Sequence, residues 1–155
     1  MRLLLVQHGE AKSKEIDPER SLTDAGIRKT KKIASWLGRH HVNIEQIFHS
    51  GKKRAAQTAD IFANRLAPAK GVKDVPGLSP NDDVHDFADQ LANQNGVLMV
   101  VGHLPFLDRL ASFLVAGNKD HGVVSFVNSG VICLIQDQDN WSVAWAVVPE
   151  LLTDP

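Results

Sequence analysis

Short runs of consecutive apolar residues alternate along the chain with segments whose apolar residues recur every three or four positions. Uninterrupted runs are typical of strands covered on both faces, and the wider spacing is typical of helices that bury one face. The runs predict strands at residues 2–7, 44–49, 72–78, 97–101, 131–136 and 141–148. We expect the strand at 72–78 at an edge of the sheet, because Pro76 has no N–H to donate to a central ladder.

Helical spacing fills most of the long segments between these strands. The predicted helices begin at the N-cap Thr23, near Lys52, after Asp82 or Asp83 and at Pro105, and they end near residues 38–41, at Leu66, at Leu91 and at Leu114. Strands and helices in this order predict an α/β fold, a three-layer sandwich whose mostly parallel central sheet is flanked by helices. Only polar residues separate the last two strands, which predicts a C-terminal antiparallel hairpin. With no internal repeat or linker, we expect residues 1–155 to form a single domain.

Composition and charge disfavour several classes of protein. The chain has 155 residues, 43% of them hydrophobic, which suffices for one sizeable core. Its formal net charge of −1 provides no overall positive field, so we expect no nucleic-acid binding. No segment reaches the roughly 18 apolar residues of a membrane span, and a lone Cys133 cannot form an intramolecular disulfide. We therefore expect a soluble cytoplasmic protein that does not bind membranes.

Two histidines directly follow predicted strands and are the first candidates for chemistry. His8 follows the strand at 2–7, and His103 lies just beyond the strand at 97–101. Ligands of layered α/β folds bind beyond the carboxyl ends of the strands, so we expect both imidazoles at one rim of the sheet.

Four short motifs around these residues resemble those of the histidine phosphatase superfamily. They are LVQHGEA at 5–11, LTDAG at 22–26, SGKKRAAQT at 50–58 and VGHLP at 101–105. The motifs occur in the order expected of that family and span most of the chain. The short length and the lack of an inserted helical lid are most similar to the SixA branch, whose members are phosphohistidine phosphatases.

The resemblance implies a phosphoglycerate mutase-like fold and a phosphatase that forms a phosphohistidine intermediate without a metal or other cofactor. It implies that His8 is the nucleophile and that Arg54 and His103, the latter if protonated, hold the phosphoryl oxygens. The residues expected to bind the substrate are Gln7, Gly9, Glu10 and Ser50. The implied substrate is phosphohistidine on a phosphotransfer or signalling protein, or a small phosphorylated molecule, with phosphate ion as the product.

Gln7 departs from the family motif, which has arginine at this position. A glutamine still donates a hydrogen bond, but a bond involving a charged group contributes about 1.5–3 kcal/mol against about 1 kcal/mol for a neutral pair. We therefore expect weaker phosphate affinity, and not inactivity.

The chemistry of the leaving group helps to identify the class of substrate. Expelling an alkoxide needs a positioned acid, whereas the imidazole of phosphohistidine leaves readily once its other nitrogen is protonated. Glu10 is the nearest candidate acid in the sequence, and Asp82 and Asp83 are more distant ones. The lack of a dedicated acid favours phosphoramidates over phosphate esters.

Three alternatives remain open from the sequence. The first is a phosphatase of the same superfamily that acts on small phosphomonoesters. The second is a non-catalytic module that captures phosphorylated ligands, which Gln7 brings into consideration. The third is a metal-binding protein that uses His8, His103 and the pair His40-His41.

Overall fold

Six strands form one mixed sheet in the computed structural model, which describes residues 1–153. The strands are β1 (Arg2–Gln7), β2 (Gln46–His49), β3 (Val72–Asp74), β4 (Val97–Gly102), β5 (Val131–Asp137) and β6 (Asn140–Val147). The helices are α1 (Asp24–Arg39), α2 (Lys53–Leu66), α3 (Val84–Leu91) and α4 (Phe106–Ala116), and a short 3₁₀ turn at Pro149–Leu151 follows β6. The sequence pattern did not predict this last turn.

The strand order β3-β2-β4-β1-β5-β6 places the two most apolar strands, β1 and β4, in the middle of the sheet. Strands β1 to β4 are all parallel to one another. β5 is antiparallel to β1, and β6 is antiparallel to β5. The predicted mostly parallel sheet with a C-terminal hairpin is therefore confirmed. β3 is an edge strand, as predicted, but it ends at Asp74, ahead of Pro76.

Helices cover both faces of the sheet, because successive side chains of the buried strands point to opposite faces. Leu3 and Leu5 of β1 pack in the core layer that contains residues of α3 and α4. Leu4 and Val6 pack in the layer that contains residues of α1 and α2. Both layers contain a cluster of buried apolar residues, which confirms the three-layer sandwich.

The helix starts agree closely with the predicted caps. The Thr23 side chain accepts a hydrogen bond from the Gly26 N–H at 3.0 Å, and Asp83 accepts one from the His85 N–H at 2.9 Å. Pro105, predicted as the first residue of α4, is instead its N-cap. None of the helices among residues 1–153 has the length and hydropathy that crossing a membrane requires.

The parallel pairing of β1 with β4 determines where the site lies. Gln7 at the end of β1 is in register with Gly102 at the end of β4. The next residues on the two strands are His8 and His103, and the His8 N–H still donates to the Gly102 carbonyl at 3.0 Å. Two residues that are far apart in the sequence are thus adjacent at the carboxyl edge of the sheet.

Candidate active site

His8 and His103 form the centre of the candidate site. Their ring centroids are 5.1 Å apart and their planes are inclined by 52°. Both side chains are buried, with 9% of His8 and 2% of His103 exposed. The expectation from the sequence that the two imidazoles meet at one rim is confirmed.

The protonation of the His8 ring follows from its hydrogen bond. Its Nδ1 lies 2.7 Å from the carbonyl oxygen of Gly9. A carbonyl oxygen only accepts, so Nδ1 must carry the proton and donate. A neutral ring then has its lone pair on Nε2, the nitrogen that takes no part in this hydrogen bond, which is the arrangement that a nucleophilic imidazole needs.

The surroundings of His8 favour its neutral form. Burial is the main cause that lowers the pKa of His8, and the charges of Arg54 and Arg20 lower it further, while the bond to Gly9 opposes them. Desolvation and nearby cations both disfavour adding a positive charge. His8 is therefore uncharged at neutral pH, so its Nε2 lone pair is available to act as a nucleophile.

Two side chains hold the backbone around His8 in place, and two more lie behind Gly9. The Gly9 N–H donates to Thr58 Oγ1 at 2.9 Å, and Asn128 Nδ2 donates to the His8 carbonyl at 2.9 Å. Thr30 and Ser129 are hydrogen-bonded to each other at 2.8 Å behind Gly9. A Cβ on Gly9 would lie 2.9 Å from Thr30 Oγ1, so only glycine fits here without displacing this support.

Arg54 enters the site from the first turn of α2. Lys52 is the N-cap, Lys53 begins the helix, and the first turn contains no acidic residue. Cations at a helix N-terminus oppose the helix dipole, at a cost of about 0.3–1 kcal/mol each. Arg54 Nε is buried without a hydrogen-bond partner among residues 1–153. Both features are typical of a site arranged for an anion.

Gln7 presents a second buried polar atom without a partner among the described residues, its side-chain Oε1. The backbone is fixed, because the Gln7 carbonyl accepts from the Ser129 N–H at 2.9 Å. The oxygen and nitrogen of a side-chain amide are assigned from the hydrogen bonds they make. If the Gln7 amide is rotated by half a turn, its NH₂ group takes the place of Oε1 and can donate to an anion.

Arg20 is a site cation that the sequence analysis missed. It lies in the loop between β1 and α1, and its Nε donates to the Lys12 carbonyl at 3.1 Å. It lines one cavity together with Arg54, and its charge lowers the pKa of His8, of Arg54 and of His103. The available signal was its position just before the LTDAG motif, but a loop residue has no periodicity to reveal where its side chain lies.

His103, like His8, is neutral. Burial is the main cause that lowers the pKa of His103 to about 3, followed by the charge that His8 acquires when it is protonated and by the charge of Arg54. Its Nε2 lies 2.6 Å from Ser50 Oγ. When Ser50 donates to Nε2, the ring proton is on Nδ1, which is buried and has no partner in residues 1–153. Ser50 thus contacts His103, and His103 presents a neutral N–H instead of the conditional positive charge considered from the sequence.

The three candidate acids all have other hydrogen bonds. Glu10 is exposed, and its Oε1 accepts from Thr23 Oγ1 at 2.9 Å at the start of α1. Asp82 accepts from the Ser79 N–H at 2.8 Å, and Asp83 caps α3 and contacts His85 Nδ1 at 2.7 Å. Each carboxylate therefore stabilises a turn or a helix start, and the interpretation of Glu10 as an acid or substrate contact finds no support in its contacts.

The metal-binding alternative is wrong in the form considered above. His40 and His41 line a cavity with Arg2 and Val97, at the amino ends of β1 and β4. They lie at the edge of the sheet opposite His8 and His103. Within residues 1–153, no three His, Cys, Asp or Glu side chains are grouped as a metal site requires.

Known proteins are similar in sequence to this chain. Residues 3–79 match the sequence family described as the histidine phosphatase superfamily (branch 1). The chain is 26% identical over 155 residues to phosphohistidine phosphatase SixA of Escherichia coli (strain K12), covering 96% of this chain and 94% of that protein. It is 32% identical over 142 residues to an uncharacterized protein of Picosynechococcus sp., covering 86% of this chain and 84% of that one.

Solved structures share the fold. The structure of the protein histidine phosphatase SixA complexed with tungstate has a TM-score of 0.85 and 26% identity, covering 96% of this chain and 97% of that one. The alpha-ribazole phosphatase from Shigella flexneri has a TM-score of 0.75 at 16% identity, covers both chains completely, and shows the fold alone. The predicted phosphoglycerate mutase-like fold is confirmed. The chain belongs to the histidine phosphatase superfamily (branch 1), and this membership supports a phosphatase activity.

Proposed function

We propose that this chain, as a single domain of residues 1–155, hydrolyses phosphohistidine on a partner protein, with His8 as the nucleophile and without a metal ion or cofactor. The observation that carries the proposal is the hydrogen bond from His8 Nδ1 to the Gly9 carbonyl, which leaves the Nε2 lone pair for attack. The 26% identity with SixA over most of both chains supports phosphohistidine as the substrate. The one cysteine, Cys133, is a buried free thiol, which agrees with a reducing, cytoplasmic location.

The first step transfers the phosphoryl group to His8. A bond forms between His8 Nε2 and phosphorus while the P–N bond of the substrate breaks, and its electron pair returns to the departing nitrogen. With a proton on its other ring nitrogen, the departing histidine leaves as a neutral imidazole. No enzyme acid is needed, which agrees with the engagement of Glu10, Asp82 and Asp83 in other hydrogen bonds.

The second step regenerates the enzyme. Water attacks phosphorus, the P–Nε2 bond breaks, its electron pair returns to His8, and phosphate and a proton are released. The neutral state of His8 makes it a suitable nucleophile in the first step and a stable leaving group in the second.

Charge develops on the phosphoryl oxygens in both steps, and positioned donors stabilise it. In this proposal, Arg54 and Arg20 supply the positive charge, and the N–H groups of His103 and Gln7 supply neutral hydrogen bonds. The lack of partners for Arg54 Nε and His103 Nδ1 within residues 1–153 supports this assignment, because buried polar atoms are normally paired.

The decisive experiment looks for the phosphoryl group on His8. A histidine-containing phosphotransfer domain with radiolabelled phosphohistidine is mixed with the enzyme, and the reaction is stopped within milliseconds and mapped by mass spectrometry. We expect transient label on His8, release of phosphate in the presence of a chelator, and no release by His8→Ala. His121→Ala, which removes an exposed histidine, is the matched control and should retain full activity.

Other outcomes would identify the alternatives. A higher kcat/KM on sugar or nucleotide phosphates than on the phosphohistidine domain would favour the small-molecule phosphatase. Binding of the phosphorylated domain without phosphate release above that of His8→Ala would show a capture module. Loss of activity in chelator that added metal restores would exclude the metal-independent mechanism.

A further inference from the structure

A cavity of about 560 Å³ with a strongly basic lining lies next to the candidate active site. Its charged lining residues are Lys14, Glu19, Lys52 and Lys53 together with Arg20 and Arg54. We call the part formed by Lys14, Glu19, Lys52 and Lys53 the basic groove. Five cations and one carboxylate line the cavity, although the net charge of the chain is −1. Positive charge is therefore concentrated beside the site.

The phosphoryl group does not account for all of this charge. The charges of Arg20 and Arg54 act on His8, and that of Lys52 acts on His103. Lys14 lies further out, is exposed, and forms no ion pair with residues 1–153. Lys53 is paired with Glu19 at 2.8 Å, also in an exposed position. The groove thus extends the positive field from the nucleophile towards the surface.

Exposed apolar side chains lie on three loops at the same edge of the sheet as the site. Ile16, in the loop that also carries Lys14 and Arg20, is 77% exposed. Leu104 and Val127 are exposed next to His103 and to Asn128, whose side chain is bonded to the His8 carbonyl. Solvent-exposed apolar groups beside unpaired charges are typical of a surface that binds another protein and less so of a pocket for a small anion.

We propose that the basic groove binds carboxylate side chains that flank the phosphohistidine on an acidic surface of the partner protein. The inference rests on the proposed function and specifies the partner of the same site. Charges at the rim of an interface act mainly on the rate of association and on its dependence on salt. The groove therefore contributes to kcat/KM on a protein or peptide, and not to the chemical step.

The test uses short synthetic peptides that differ only in the residues next to a chemically phosphorylated histidine, which are glutamate, glutamine or lysine. Free phosphohistidine, which has no flanking residues, reports the activity of the catalytic groups alone. At low ionic strength we expect kcat/KM for the glutamate peptide to exceed that for the glutamine peptide about tenfold, and the lysine peptide to be the slowest. The preference should largely disappear at about 1 M salt, where the screening length falls to about 3 Å.

Two variants should change the preference in opposite directions. Lys14→Gln should reduce the glutamate preference about threefold, and Glu19→Gln, which frees Lys53, should increase it by a similar factor. Neither should change hydrolysis of free phosphohistidine by more than about twofold. Lys31→Gln, an exposed charge in the middle of α1, is the matched control and should change neither value.

Equal rates on the three peptides, with free phosphohistidine hydrolysed, would overturn the docking proposal and leave the proposed function intact. Lack of hydrolysis of every phosphohistidine substrate would instead overturn both. If Lys14→Gln slowed only a small bisphosphorylated ester, the groove would be a second phosphate subsite and the proposed acidic partner would be wrong.

Discussion

The backbone N–H of Gly9 donates to the hydroxyl of Thr58 at 2.9 Å, although 49 residues separate the two in the sequence. Thr58 is fully buried, and its own proton goes to the Arg54 carbonyl at 2.8 Å. One turn of α2 therefore carries both Arg54 and the acceptor that holds the backbone beside His8. This shared support fixes the position of the nucleophile relative to the guanidinium.

Thr58→Val tests this support, because valine has nearly the same shape but no acceptor. The variant leaves the Gly9 N–H buried without a partner, so we expect the free energy of unfolding to fall by about 1–3 kcal/mol. We also expect kcat to fall at least about tenfold, because His8 is no longer held in place. Urea unfolding and steady-state kinetics measure the two effects. Thr58→Ser retains the hydroxyl and should recover most of both; equal kcat for all three proteins would show that the bond has no catalytic role.

Ser50→Ala distinguishes two roles for Ser50. The sequence motif suggested a substrate contact, which predicts a higher KM at unchanged kcat. The bond of 2.6 Å to His103 Nε2 suggests that Ser50 orients His103, which predicts a fall in kcat of about tenfold with little change in KM. Measuring both constants decides between these roles, and Ser50→Thr, which keeps the hydroxyl, should restore kcat if orientation is the role.

Gln7→Arg should strengthen phosphate binding. A charged donor in place of the amide adds about 1 kcal/mol to a hydrogen bond with phosphate, which corresponds to about fivefold in kcat/KM or in inhibition by inorganic phosphate. Gln7→Met, which removes the polar group at similar size, should lower both. If both variants had the same kcat/KM and the same inhibition by phosphate as the natural chain, Gln7 would not contact the phosphoryl group. Arg20 and Arg54 would then supply the required charge.

Burial sets most of the titration behaviour of the two site histidines, and Arg20 adds a smaller contribution. Burial and neighbouring cations lower the pKa of His8 and bring that of His103 to about 3. We expect NMR signals of the His103 ring to show no titration between pH 5 and about 8, and those of His8 to titrate with a midpoint below that of an ordinary histidine. Arg20→Gln removes one of the charges and should raise both pKa values. Unchanged titration curves in Arg20→Gln would show that Arg20 does not face the site.

The low pKa of His103 should also make the folded protein less stable in acid. The unfolded chain binds protons on its histidines near pH 6.5, while folded His103 stays neutral down to about pH 3. Stability is thus fully present above pH 6.5 and decreases as the pH falls towards 3. His103→Gln removes this contribution, so its free energy of unfolding should change less between pH 6.5 and 4 than that of the natural chain. Parallel curves for the two proteins would contradict the low pKa.

Much of the fold was predictable because its strongest signals are local. The run Leu3–Leu4–Leu5–Val6 must be covered on both faces, and Thr23 and Asp83 offer side-chain acceptors where helices begin. His8 and His103 could be assigned to one rim because parallel strands end at the same edge. Arg20 could not, since a loop side chain has no period that tells where it points.

The sequence by itself determined the alternation of strands and helices, the two histidines at strand ends and the unusual glutamine at position 7, because each depends on residue type and spacing along the chain. Only the tertiary structure decided that Glu10 contacts Thr23, that His103 is neutral and bonded to Ser50, and that Arg20 joins Arg54 near His8. These properties depend on burial and on distances between segments remote in the sequence. Desolvation and charge interactions act through space, and the order of residues does not encode them directly.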